Sequence, residues 1–183
     1  LKGSIMAIIV SPLSRAPHIM RERRPAKIVS LLDPRTPFPR AEHLHHDHHL
    51  KVEIHDITEN YDGWVAPQEA HVQRIVDFVT DWDRSAPMLV HCYAGISRSS
   101  ATAFIAACVH NPDVQERDIA FAMREASHVA WPNARIVTLA DDILNRRGRM
   151  VDAITAIGPG KSWQDVGENT PFEIPSCFDD RTP

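Results

Sequence analysis

The sequence predicts an α/β fold, a central mostly parallel sheet flanked by helices. Three observations predict it. Short apolar runs at residues 5–10, 27–32 and 88–91 have the length of buried strands. The stretches at 67–82 and 133–148 instead space their apolar residues three and four apart, as one face of a helix does. The run at 88–91 passes through a glycine-bearing loop straight into helix-compatible sequence, a strand–loop–helix order.

Taken in order, residues 5–10 read as a first strand, too short for a signal-peptide core. Residues 14–23 read as a short helix or turn. Residues 27–32 form a second buried strand, ended by Pro34, Pro37 and Pro39. A loop rich in proline and histidine runs over 33–49. Residues 50–54 alternate apolar with charged side chains and read as a third strand. After a loop at 55–66, Pro67 is expected in the first turn of a helix that buries Val72, Ile75, Val76 and Val79. Asp113 and Glu116 have capping-box spacing for a helix through about Ala126. Asn133 is placed to cap the next, with Ile136, Leu139, Ala140, Ile143 and Leu144 inward and Gly148 stopping it. A short helix is expected over 149–157. Residues 158–183 show no periodicity, so the domain is expected at 1–157 with a C-terminal surface tail at 158–183.

Composition narrows the function. A chain of 183 residues with 43% apolar content fits one domain with one core. A net charge of -4 implies no nucleic-acid partner, and Arg21-Glu22-Arg23-Arg24 reads as a solvated helix end. No apolar run approaches the ~20 residues of a membrane span. Cys92, Cys108 and Cys177 lack CxxC spacing, which fits a reducing, cytoplasmic setting. The chain begins at Leu1 rather than Met, as a fragment would.

The chemistry concentrates in His91-Cys92-Tyr93-Ala94-Gly95-Ile96-Ser97-Arg98-Ser99. Backbone N–H groups of residues 93–98, at a helix N-terminus, are placed to converge on a phosphate dianion. A thiol attacks as the thiolate, which such an electropositive setting favours. The Arg98 guanidinium fork matches two phosphate oxygens, as a lysine could not. Gly95 permits the inward turn of the backbone. Ser99 is placed to hydrogen-bond the Cys92 sulfur, and His91 to orient the loop from behind through backbone carbonyls.

This string resembles the signature of the cysteine-dependent protein tyrosine phosphatase superfamily: His-Cys, five residues, Arg, then Ser or Thr. A small, bacterial-type member of the dual-specificity branch is the nearest resemblance, and it extends over about residues 27–147. The resemblance implies phosphate monoester hydrolysis through a phosphocysteine, most simply on phosphotyrosine or as a dual-specificity enzyme. Cys92 is then the nucleophile, Arg98 and the loop from Tyr93 to Ser97 the phosphate cradle, and Ser99 the sulfur's partner. No metal or organic cofactor is needed, and the partner is a phosphorylated protein or an aryl phosphate. A phosphoprotein-binding module of the same fold, and a phosphatase for a non-protein ester, are the alternatives.

Such a reaction needs a carboxyl group that protonates the leaving oxygen and then activates water. Asp56, Glu59 and Asp62 share one loop upstream of Cys92. The dual-specificity pattern places the acid directly after the strand that precedes the long helix, the position of Asp56. Trp64, in the same loop, is expected to anchor it to the core. His43, His45, His46, Asp47, His48 and His49 lack the spacing of a metal site and read as an exposed, pH-sensitive loop. Cys108 is expected in the core. None of the variable loop residues Tyr93 to Ser97 is basic, which disfavours a polyphosphorylated substrate.

Overall fold

The computed structural model describes residues 6–178. Its first strand, β1 (Ala7–Pro12), is followed by α1 (Ala16–Arg23), β2 (Lys27–Leu32), a short 3-10 turn at 46–48 and β3 (His49–Glu53). Next come α2 (Glu69–Thr80), β4 (Met88–Cys92), α3 (Arg98–His110), α4 (Glu116–Ala126), α5 (Ala134–Ile143) and α6 (Arg149–Ala156). The short α7 (Trp163–Val166) and β5 (Phe172–Pro175) complete the described chain. The sheet order is β3-β2-β4-β1-β5. The first four strands are parallel, and β5 runs antiparallel to β1 along the edge. The expected mostly parallel α/β sheet is therefore the observed one.

Strand alternation divides the interior in two. Ile8 and Val10, Val29 and Leu31, Met88 and Val90 face the large core built with α2 to α6. Ile9, Ile28 and Leu89 point the other way, onto Ala16, Ile19 and Met20 of α1. One short helix thus covers one face, and the helices after it cover the other. Cys92 falls in the large core's alternation, while His91 shares the α1 face with Leu89.

Several element ends differ from expectation for local reasons. β1 continues to Pro12 because Ser11 and Pro12 pair with His91 and Cys92. In α2, Pro67 lies outside the helix, and Gln68 and His71 bond reciprocally at its start. α4 has Gln115 rather than Asp113 at its N-cap position, without a side-chain cap bond, and Glu116 turns inward to Arg146 and Arg149. α5 ends at Ile143; Gly148, at φ 87°, opens α6, where the buried Asp141 carboxylate accepts from the N–H groups of Gly148 and Met150. Asn133 does cap α5, accepting from Ile136 N at 3.1 Å.

The largest correction concerns the expected surface tail at 158–183. Phe172 and Ile174 are buried, and their strand completes the sheet along β1. A four-residue strand with only two inward side chains is too short for alternation to stand out in the sequence. Residues 179–183 of that expectation, like Ile5 of the expected first strand, lie outside the described residues.

Candidate active site

Three of the parallel strands end at the same edge of the sheet, and each carries a chemically distinctive residue at or just beyond its end. Asp33 follows β2, Asp56 lies three residues beyond β3, and Cys92 closes β4. This carboxyl edge is where open α/β sheets place their ligands.

The loop from Tyr93 to Ser97 curls from β4 into α3, with its carbonyls held from outside. Leu13 N–H donates to Tyr93 O at 3.0 Å, and Asn169 N–H to Ala94 O at 2.8 Å. The Asn169 side-chain amide donates to Gly95 O at 3.1 Å. Trp131 N–H donates to Ile96 O at 2.9 Å, joined there by the Ser100 hydroxyl. Ser97 O accepts from Ala101 N at 3.0 Å and Asn133 N at 3.2 Å. Among the described residues, the N–H groups of residues 94–97 donate no such bond outward. Carbonyls pinned outside leave those N–H groups turned to the concave side, the arrangement of an anion nest.

Gly95 is required twice over. Its φ of +71° lies in the left-handed region, and a Cβ there would stand 2.6 Å from Pro12 N and 2.8 Å from the Ser11 carbonyl carbon. The loop crosses the end of β1 in direct backbone contact.

Cys92 is buried, its Sγ 3.1 Å from Ser99 Oγ. Arg98, the first residue of α3, is only 3% exposed. Its Nη1 donates to Asp33 Oδ1 and to Ile54 O, each at 2.6 Å. Its Nε is buried without a hydrogen-bond partner among the described residues, and Asp56 Oδ2 stands 3.9 Å away. One edge of the guanidinium is therefore fixed to protein, and another is left for an acceptor in the cradle.

Asp56 is held over the loop at one oxygen. Its Oδ1 accepts from Ser97 Oγ at 2.6 Å and from Asn133 Nδ2 at 2.9 Å, which leaves Oδ2 unengaged by those donors. Asn133 thus joins three tasks: it caps α5, supports the loop through its N–H, and holds the Asp56 carboxylate. Glu59 and Asp62 are exposed, and neither belongs to the cleft beside the loop. That cleft, of about 470 Å³, is lined by Asp56, Tyr61, Ala94, Ser97, Trp131 and Asn133 among others. Trp64 is not among its described walls and is not in the core either; it is exposed and packs on His55, 4.6 Å between ring centroids.

Behind the loop, His91 behaves differently from expectation. Its Nε2 is 2.6 Å from Ser30 Oγ, and the same hydroxyl is 2.7 Å from His49 Nε2. Register explains this: Ser30 is opposite His91 in the β2–β4 pair, on the α1 face. Burial is the main cause that holds His91 at a pKa of about 4; His49 and Arg98 push the same way, against the Cys92 backbone. His49 also lies at about 4, lowered by burial and then by Lys51. His49 therefore leaves the expected exposed histidine loop and stands half-buried at the start of β3. His45, His46 and Asp47 remain exposed, with ligand atoms within 4.8 Å of one another. Cys108 sits in the core, its thiol pushed up chiefly by burial and further by Glu116. At 1.5 Å per residue it lies about 15 Å along α3 from Arg98, so it does not serve the cradle.

Residues 40–145 match the family described as protein-tyrosine phosphatase. The chain belongs to that family. It is a protein-tyrosine-phosphatase-like phosphoric monoester hydrolase. No curated protein matches the chain. Among solved structures it is similar to Cydia pomonella PTP-2 phosphatase, at 19% identity and a TM-score of 0.57 over 76% of this chain and 90% of that one. It is similar to the human tyrosine phosphatase-like serine/threonine/tyrosine-interacting protein, at 20% identity and a TM-score of 0.57 over 75% and 91%. PTPMT1 in complex with PI(5)P matches at 12% identity and a TM-score of 0.51 over 80% and 90%. Likeness at this identity speaks to the fold.

Sequence reasoning missed Asp33, Tyr61, Trp131, Asn169 and the two further roles of Asn133. Asp33 carried a usable signal, a carboxylate at the carboxyl end of a recognised parallel strand. Asn169 carried none, because its role depends on where β5 brings the chain back.

Proposed function

We propose that the protein hydrolyses phosphotyrosyl or related aryl phosphate esters in two steps through a phosphocysteine at Cys92. The observation that carries this reading is the gathering at one edge of the sheet of the Cys92 sulfur, 3.1 Å from Ser99 Oγ, the Arg98 Nε that has no hydrogen bond among the described residues, and the Asp56 carboxyl, 3.9 Å from that Nε and on the wall of the adjoining cleft. In the first step the Cys92 thiolate attacks phosphorus, the S–P bond forms and the ester P–O bond breaks. Asp56 gives its proton to the leaving oxygen; with Oδ1 engaged by Ser97 and Asn133, Oδ2 is the atom that carries it. Arg98 and the loop N–H groups meet the charge on the equatorial oxygens. In the second step Asp56 takes a proton from water, water attacks phosphorus, and the S–P bond breaks with Ser99 hydrogen-bonded to the departing sulfur.

Tyr61 and Trp131, both largely exposed at the cleft wall, suit an aromatic leaving group. No lysine or arginine is among the described lining residues, which supports a singly phosphorylated substrate over a polyphosphorylated headgroup. A reducing, cytoplasmic setting suits a nucleophilic thiol.

The test is turnover of an aryl phosphate by four variants. Cys92→Ser is expected to abolish it with the fold intact, and Asp56→Asn to lower kcat by roughly 10²–10⁴. Glu59→Gln and Asp62→Asn are expected to stay near wild type. Full activity in Cys92→Ser sinks the mechanism, and a loss in Glu59→Gln or Asp62→Asn without one in Asp56→Asn moves the acid.

A further inference from the structure

The returning C-terminal segment is fastened to the elements around the phosphate loop and, at Asn169, to the loop itself. Arg124, in the last turn of α4, donates to Gly158 O at 2.9 Å, tying the chain just after α6 to α4. Gly160 runs flush over residues 129–130, where a Cβ would stand 2.3 Å from Val129 O and 2.4 Å from Ala130 O. Glu168 accepts from Ser14 Oγ at 2.8 and 2.9 Å. Asn169 then meets the loop itself.

Asn169 is only 5% exposed, although it lies in neither a helix nor a strand. Its N–H donates to Ala94 O, and its side-chain amide to Gly95 O and to Ser127 Oγ, the last two at 3.1 Å. The Ser127 hydroxyl in turn donates to Asn169 Oδ1 at 3.3 Å and accepts from Val129 N and Ala130 N. One residue therefore collects two consecutive carbonyls at the crest of the loop, and a buried serine fixes its amide. A peptide plane has its carbonyl and N–H on opposite sides. Holding Ala94 O and Gly95 O outward turns the N–H groups of Gly95 and Ile96 toward the concave side.

We propose that Asn169 is a positioning residue for the phosphate cradle, holding the Ala94 and Gly95 carbonyls so that the following N–H groups face the bound phosphoryl group. This rests on the phosphatase reading for its consequence in turnover, but not for its consequence in oxyanion binding. The role belongs to the returning C-terminal segment, 71 residues beyond Arg98 (169 minus 98).

The experiment measures tungstate affinity by calorimetry, and KM and kcat on an aryl phosphate, for wild type, Asn169→Asp, Asn169→Ala and Glu168→Ala. Asn169→Asp keeps size and shape but cannot donate to Gly95 O. It is expected to weaken tungstate binding and raise KM by about tenfold per folded molecule, with Asn169→Ala similar. Glu168→Ala removes a neighbouring tie of the same segment without touching the loop, and is expected to stay within twofold. Thermal melts and the calorimetric stoichiometry count the folded fraction. A role confined to stability would lower the melting temperature and stoichiometry with affinity unchanged, and that result overturns the proposal. So does an equal loss of affinity in Glu168→Ala. If wild type binds tungstate but turns nothing over, the phosphatase reading fails while the variants' affinities still decide the role of Asn169. If wild type binds no tungstate, both fail.

Discussion

Two buried arginines show how one ionic device serves different ends. Arg146 and Arg98 are both nearly inaccessible, and both bond a carboxylate and a main-chain carbonyl. Around Arg146 the partners are internal. Nη1 meets Glu116, which is itself buried, while Nη2 donates to Cys108 O at 3.1 Å and Arg149 braces the same glutamate. Burial pushes the Glu116 carboxyl up, but its bonds to Arg149 and its charge contacts with both arginines outweigh this and hold it below the usual value. Around Arg98 the carboxylates are Asp33 and Asp56, with side chains 49% and 36% exposed, and Nε has no bond among the described residues. An arginine whose two terminal nitrogens bond within the fold joins helices, whereas one whose buried Nε has no bond among the described residues, and whose carboxylate partners face solvent, has the arrangement that the proposed phosphate cradle needs. Counting salt bridges would miss the distinction.

The contrast is sharpest in substitutions that keep charge or bulk. Arg98→Lys keeps the cation and loses the fork. Its kcat/KM on an aryl phosphate is expected to fall about 10³-fold, the scale of a lost transition-state donor, with the melting temperature little changed. Activity within tenfold of wild type would place Arg98 among the structural arginines. Arg146→Met should do the reverse. Removing one partner of a buried pair costs about 3 kcal/mol, the lower end of the usual range because Arg149 still faces Glu116. Denaturant unfolding reads that loss, while kcat per folded molecule stays near wild type.

The smallest expected effect comes from His91, on the closed side of the site. An unfolded histidine titrates near 6.5, whereas buried His91 does so at about 4. Between these values the unfolded chain binds the proton and the native one does not, so stability is complete above pH 6.5 and lost as pH falls towards 4. From pH 7 to pH 5 this amounts to about 2 kcal/mol. Unfolding curves of wild type and His91→Asn at both pH values check it, since the substitution should flatten that dependence. An equal slope in the two proteins would assign the acid sensitivity elsewhere, with His49 next in line.

Much of the site was legible because its chemistry is local. The run from His91 to Ser99 holds thiol, guanidinium, glycine and hydroxyl within nine consecutive residues, and the strand before it and helix after it fix their directions. That Asp56 would lie beside the loop was legible by element order. What escaped depends on contacts between distant segments. Asp33 meets Arg98 across 65 positions, and Asn133 meets Asp56 across 77. No local pattern encodes such pairings, and an asparagine that caps a helix already has a sufficient local explanation. The expected tail failed for the same reason, since β5 is defined by its pairing with β1 rather than by its own four residues.

The return of β5 along β1 also sets an order of events in time. Chains grow at about 5–20 residues per second during synthesis. Asn169 is added 77 residues after Cys92 (169 minus 92), so about 4–15 s separate the two. Through that interval the growing chain carries its thiol without the Asn169 donors, and the cradle gains that support only as the segment leading into β5 is made.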